Sequence, residues 1–139
     1  MATIVVDVND GVPLTLDIKI PIGDAFRKQC TLQRYTGSAV AVDLTDVTYA
    51  MTISDHRGGT AELSLAATED WTASGVHVDT VATGQFSIFI LGSDCTDLET
   101  GMHWWELELT FPSNHTQFPN MVKTIYQGTC EICADAVNA

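Results

Sequence analysis

Nearly every segment of this chain alternates apolar and polar residues with a period of two, and that alternation restricts what it can fold into. The stretch LTLDIKIPI places Leu14, Leu16, Ile18, Ile20 and Ile22 on one side of an extended backbone and Thr15, Asp17 and Lys19 on the other. MHWWELELTF does the same, with Trp105, Leu107, Leu109 and Phe111 pointing inward and Trp104, Glu106, Glu108 and Thr110 outward. The 3.6-residue spacing of an amphipathic helix is hard to find in any window, so the expectation is an all-β chain without crossover helices.

Further strands follow from the same reading. AFRKQCTLQRY continues the alternation through Phe26, Cys30 and Leu32, with YTGSA as its turn. In VAVDLTDVTYAMTI, Val42 and Leu44 share one parity, whereas Val47, Tyr49, Met51 and Ile53 share the other, so the chain must jog at Thr45 and Asp46. DHRGG reads as a hairpin turn before a short strand carrying Ala61, Leu63 and Leu65, and VHVDTV as a weaker strand ended by ATG. GQFSIFIL presents Phe86, Ile88 and Ile90 on one face and Phe89 and Leu91 on the other. MVKTIYQGTCEIC closes the series with Val122, Thr124, Tyr126, Cys130 and Ile132 in phase and Gly128 as a bulge or close-approach point. About eight or nine short strands at regular intervals predict an antiparallel β-sandwich. Residues 1–20 form an N-terminal edge strand or arm and residues 21–139 the sandwich domain. An arm with a one-sided apolar stripe at Leu14, Leu16 and Ile18 could add to the sheet edge of a neighbouring subunit.

Charge narrows the partners. Six Lys and Arg against 18 Asp and Glu leave a formal charge of −12, which repels phosphate backbones and anionic headgroups. Neither nucleic acid nor a membrane is expected as a partner. No window approaches the ~18 apolar residues of a spanning helix, and MATIVVDVND lacks the basic start and apolar stretch of an export signal, which predicts a cytoplasmic site of synthesis and assembly. In that compartment Cys30, Cys95, Cys130 and Cys133 are expected as reduced thiols.

Residues able to carry chemistry do not converge. Cys130 and Cys133 form a C-x-x-C pair, but an extended strand places residues three apart on opposite faces, and no second pair completes a zinc set. Glu106 and Glu108 share an exposed strand face, where alternating Glu opposite Leu is ordinary for a solvated strand. Asp94, Asp97 and Glu99 lack the spacing of a calcium loop. His56, His77, His103 and His115 are scattered, and Asn114 in NHT reads as a loop asparagine. No catalytic, cofactor or metal residue is assigned. The aromatics are more informative: Trp104, Phe89, Leu91 and the loop residue Trp71 place large apolar area where an isolated sandwich should be wet, which predicts interface anchors and self-association.

From Gly23 to Cys133, the order GDAFRKQCTL, VDLTDVTYAMTI, GQFSIFIL, TDLETGMHWWELEL and KTIYQGTCEI resembles the immunoglobulin-like domains of tailed-phage virion proteins, in particular the amino-terminal domain of the upper baseplate protein family. The resemblance implies an immunoglobulin-like fold, a place in a virion, contacts with other virion proteins and no catalytic residues. A sandwich of this size is also similar to the accessory or cement subunits that decorate capsids. The rival expectation is a glycan-binding module for host attachment, in which Trp104 or Trp71 stacks on a sugar ring.

Overall fold

The computed structural model describes residues 3–7, 13–22, 24–35, 39–69 and 72–133. Trp71 and residues 1, 2 and 8–12 of the expected arm lie outside these. The described residues form eleven strands: β1 (Thr3–Asp7), β2 (Leu14–Thr15), β3 (Ile18–Pro21), β4 (Ala25–Tyr35), β5 (Ala39–Ala41), β6 (Thr48–Ser54), β7 (Ala61–Ala66), β8 (Gly75–Thr80), β9 (Gln85–Leu91), β10 (Gly101–Thr110) and β11 (Val122–Cys133). A single 3₁₀ turn, Gly92–Cys95, interrupts them among the described residues. No helix there is long and apolar enough to cross a membrane.

The strands form two sheets. One runs β1-β4-β9-β8, with β5 also on β4, and the other runs β2-β11-β10-β6-β7, with β3 also on β11. If β1 is lettered A, β2 with β3 A′, and β4, β6, β7, β8, β9, β10 and β11 B, C, C′, D, E, F and G, the sheets read A-B-E-D and A′-G-F-C-C′. The two sheets make a β-sandwich whose strand order follows that of immunoglobulin sandwiches, with β1 departing from it by joining β4 in the parallel sense. The count exceeds the eight or nine read from the sequence because the N-terminal segment is broken into three pieces and β5 is a three-residue strand.

That N-terminal segment switches sheets. β1 pairs parallel with β4 along Thr3↔Gln29 to Asp7↔Gln33, and β2 and β3 pair parallel with β11 through Tyr126↔Leu14 and Cys130↔Ile18. Residues 14–21 therefore complete the molecule's own second sheet, and main-chain pairing supplies what the arm reading sought from a neighbour.

The core forms where the two inner faces meet. Trp105, Leu107 and Leu109 of β10, Met51 and Ile53 of β6, and Phe86 and Ile90 of β9 are fully buried, as alternation predicts. The jog before β6 is real: Val42, Leu44, Val47 and Tyr49 are all buried because Asp46 takes a φ of 58°, which shifts the phase by one residue. Burying so many large side chains, at roughly 1.5–3 kcal/mol each, is the main favourable term. The four thiols are free: Cys30, Cys95 and Cys130 are buried and Cys133 half-buried. Desolvation pushes the Cys30 thiol up to about 11 and the Cys130 thiol up to about 12.

One phase read from the sequence is corrected. Between Leu107 and Glu108 the β10–β11 ladder shifts register, leaving Ile125 as an extra residue between Tyr126 and Thr124. Ile125 and Tyr126 are both buried, and upstream of the bulge Val122 and Thr124 turn outward, so Val122 is 58% exposed instead of lining the core. Gly128 is no bulge but a point of close approach, because a Cβ there would collide with the Leu16 carbonyl.

Candidate functional site

Three connections meet at one end of the sandwich. Thr31↔Gln85 and Thr48↔Thr110 place the β4–β6 link, the β8–β9 turn and the β10–β11 loop at the same end of the two sheets. In immunoglobulin variable domains the corresponding end carries binding loops. Here the connections are tied to one another by a set of specific hydrogen bonds.

His115 is the centre of that set. Its ring is only 7% exposed and packs edge-on against Phe111 at 4.8 Å and roughly parallel to Phe118 at 6.0 Å. Backbone N–H groups of Gln117 and Phe118 donate to Nδ1 at 3.1 and 2.9 Å, so Nδ1 is the bare nitrogen. Nε2 carries the proton and donates to the Asp43 carbonyl at 2.6 Å, joining the β10–β11 loop to the β4–β6 link.

Gln117 adds two more bonds across the same gap. The Asp43 N–H donates to its Oε1 at 2.9 Å, and its Nε2 donates to the Ala41 carbonyl at 3.0 Å, so the side-chain amide bonds the backbone on both sides of Val42. The Asp43 carboxylate accepts from the Thr45 hydroxyl at 2.7 Å and the Thr45 N–H at 2.9 Å. Those two bonds, the hydroxyl first, hold its pKa below the ordinary carboxylate range. Leu44 N–H donates to the Val81 carbonyl at 3.1 Å, bringing in the third connection. The β8–β9 turn can approach this closely because Gly84, at φ 69°, has no Cβ to meet the Leu32 and Val42 carbonyls.

This braced end displays apolar side chains. Val40, Val81, Met121 and Val122 are 37, 41, 38 and 58% exposed. The described residues 39–47, 79–84 and 111–122 include Asp43, Asp46 and Asp79, and Lys123, which follows Val122, sets its Nζ 6.0 Å from the Phe118 ring. Beside the apolar tips lies a concavity of about 100 Å³ lined by Asp43, Thr45, Asp46, Pro112, Asn114, His115 and Thr116. Loops already fixed in place lose little entropy on binding, so such a surface is suited to protein contact.

The residues singled out in the sequence lie elsewhere and apart. Trp104 sits half-buried on the outer face of the second sheet, where its Nε1 donates to Glu106 Oε1 at 3.0 Å and the Arg57 guanidinium covers the ring at 5.4 Å. Phe89 and Leu91 are half-buried on the outer face of the first sheet, Phe89 edge-on to His77 at 5.8 Å. The two groups therefore face opposite directions and cannot form one patch. Leu14 is exposed, Leu16 half-buried against the core, and Ile18 only 6% exposed. Ile18 is corrected from a contact residue to a core residue, because its pairing with Cys130 turns it between the sheets.

Among the described residues no three His, Cys, Asp or Glu side chains converge as a metal set. Asp94 accepts from the Ser74 hydroxyl, and Glu99 offers only its carbonyl, to His103 Nε2 at 2.7 Å. His77, Asp79 and Ser87 meet across β8 and β9, a grouping that spacing did not reveal. The Ser87 hydroxyl is fully buried and donates straight to Asp79 at 2.7 Å, so its proton goes to a carboxylate without an imidazole between them.

Sequence reasoning missed the braced end. Its one trace is PSNHTQFPN, where a histidine and a phenylalanine lie between two prolines in a segment too irregular for a strand. Comparison with known protein families and with curated proteins finds no match to this chain.

Proposed function

We propose that the chain is a non-enzymatic structural subunit of a tailed-phage virion that docks by protein–protein contacts onto the capsid, as a decoration or cement protein, or onto the tail or baseplate. The sequence resemblance suggests the setting, and the braced end supplies a means of docking. The observation that carries the reading is the combination there of four exposed apolar side chains with loops held by His115 and Gln117. The surface is apolar, with Asp43, Asp46 and Asp79 set against Lys123, whose Nζ lies 6.0 Å from the Phe118 ring, so the lattice it meets should present chiefly apolar residues. The glycan reading loses support at Trp104, whose ring already carries Arg57 and whose Nε1 is used by Glu106.

Electron microscopy of particles from cells producing a tagged chain tests this. The subunit should occupy a fixed lattice position with Val81, Met121 and Val122 against a neighbour, and Val122→Asp should reduce incorporation at least tenfold, since a charge buried at an interface centre costs more than ~1.4 kcal/mol. A chain absent from particles, or normal incorporation of Val122→Asp, would overturn the proposal.

A further inference from the structure

Near the start of β10, at the end of the sandwich opposite the braced loops, the His103 side chain is 5% exposed and both of its ring nitrogens have partners. Nδ1 lies 2.9 Å from Glu62 Oε1 of β7, and Nε2 lies 2.7 Å from the Glu99 carbonyl in the β9–β10 connection. A carbonyl oxygen only accepts, and so does an ionised carboxylate, so each nitrogen has to donate. A neutral imidazole has a single N–H. The two contacts therefore call for a ring with two protons, the reverse of His115, whose Nδ1 receives N–H groups. Imidazole is a stronger base than a carboxylate, which places the shared proton on the ring.

The two bonds fasten three segments together. Glu62 is the extra residue where the β6–β7 ladder shifts register, so the ring gives a fixed place to a side chain at a bulge. The connection on the other side is also held by Leu98, which is buried and whose N–H donates to the Cys95 carbonyl at 3.0 Å.

Charged groups on the surrounding elements are engaged elsewhere. In the β6–β7 turn Asp55 pairs with His56 at 2.6 Å and Arg57 covers Trp104, and β6 itself carries no charge. Glu131 of β11 lies 3.7 Å from Lys19, Asp94 accepts from Ser74, and the Asp97 and Glu99 residues are exposed. Cys130, the ladder partner of His103, and Cys95 are thiols that desolvation raises, and Lys28 of β4 acts on Cys30.

We infer that His103 is a proton-operated latch: with two ring protons it ties β7 and the β9–β10 connection to β10, and loss of one releases the connection. The N–H that survives goes to the carboxylate, the stronger acceptor. Nε2 is then bare, and its lone pair faces the Glu99 carbonyl at 2.7 Å, where two acceptors repel. The ring is too deeply buried for water to supply the missing donor in place, so the connection moves away and its backbone opens. The latch is closed in acid and opened by base. It is independent of the braced end and of where the subunit is housed.

Nuclear magnetic resonance of the ring nitrogens, with amide hydrogen exchange expressed as protection factors, tests this across about pH 5.5 to 9. Both ring nitrogens should carry protons at the acid end. The Leu98 amide should lose protection by about tenfold or more in step with the ring's second proton, while Leu107 in the middle of β10 keeps its own. Glu62→Gln presents an amide N–H to a bare Nδ1, so a neutral ring can still donate from Nε2 to Glu99, and Leu98 should stay protected throughout. A ring whose proton count does not change across that range, a Leu98 amide indifferent to the ring's titration, or the same pH response in Glu62→Gln would overturn the inference.

Discussion

The Trp105 indole donates from Nε1 to the Leu16 carbonyl at 2.7 Å, passing Gly128 of the strand between them. Trp105 and Gly128 are direct partners in the β10–β11 ladder, and Leu16 N–H bonds to Gln127 on the far side of β11. A fully buried indole needs an acceptor for its N–H, and the strand break at Leu16 supplies one that a continuous strand would have spent on its own ladder. The contact fastens the N-terminal segment to the centre of the core.

Gly128→Ala should destabilise the fold by about 2–4 kcal/mol, because the added methyl meets backbone instead of a flexible side chain. Trp105→Phe should cost about 3 kcal/mol, the sum of lost packing and an orphaned Leu16 carbonyl. Urea denaturation monitored by circular dichroism measures both, and an unaltered midpoint for Gly128→Ala would contradict the close approach.

His115→Ala removes a buried ring and three hydrogen bonds at once and should cost about 2–4 kcal/mol. Its more specific signature is local. Hydrogen exchange should accelerate at Asp43, Gln117 and Phe118, whose backbone groups depend directly on the ring or on the link it fastens. Uniform acceleration throughout both sheets would mean that the ring serves global stability alone.

The Asp17 and Asp43 carboxylates both have lowered pKa values: Asp17 through the Thr129 N–H and hydroxyl, Asp43 through the Thr45 hydroxyl and N–H. A carboxylate whose folded pKa lies below its unfolded value binds protons more readily when unfolded. Its stabilisation is complete above the unfolded value, ~3.9 for Asp, and is lost as pH falls through the folded pKa. Asp17→Asn and Asp43→Asn keep an acceptor oxygen but cannot titrate, so each should flatten the fall in stability below about pH 5. Chemical denaturation at a series of pH values reads the slope, and unchanged slopes in both variants would refute the assignment.

Thiol labelling at about pH 8 should modify Cys133 and spare Cys30, Cys95 and Cys130. The latter three are buried, and desolvation raises all three thiols. Urea should release all four. Rapid modification of more than one thiol in the folded protein would contradict the burial.

The fold was legible because the core strands follow a strict period of two. Trp105, Leu107 and Leu109, or Phe86, Ile88 and Ile90, can be assigned to the inside by counting alone. The jog at Asp46 was legible too, since two apolar series of opposite parity met there. What counting could not reveal was the register shift at Ile125, where one inserted residue reversed the faces of Val122 and Thr124. Nor could it show that Leu14 to Pro21 would run parallel to β11, because strand direction leaves no mark on alternation. The braced end stayed hidden for a related reason. Its bonds join Gln117 to Ala41, 76 residues away, and His115 to Asp43, 72 residues away, through irregular backbone without periodicity. Trp104 looked like an anchor because its parity points outward; a neighbouring turn supplied Arg57 as its cover.

The strand that receives β2, β3 and β10 together is β11, which is synthesised after all of them. Until β11 has been made, Leu14–Pro21 has no strand to join in the second sheet, and Leu16 is not held beside Trp105. The second sheet can therefore be completed only after elongation has passed β11, although β6, β7 and β10 pair without it. Until then the nascent polypeptide exposes adhesive surface that cellular chaperones are built to shield.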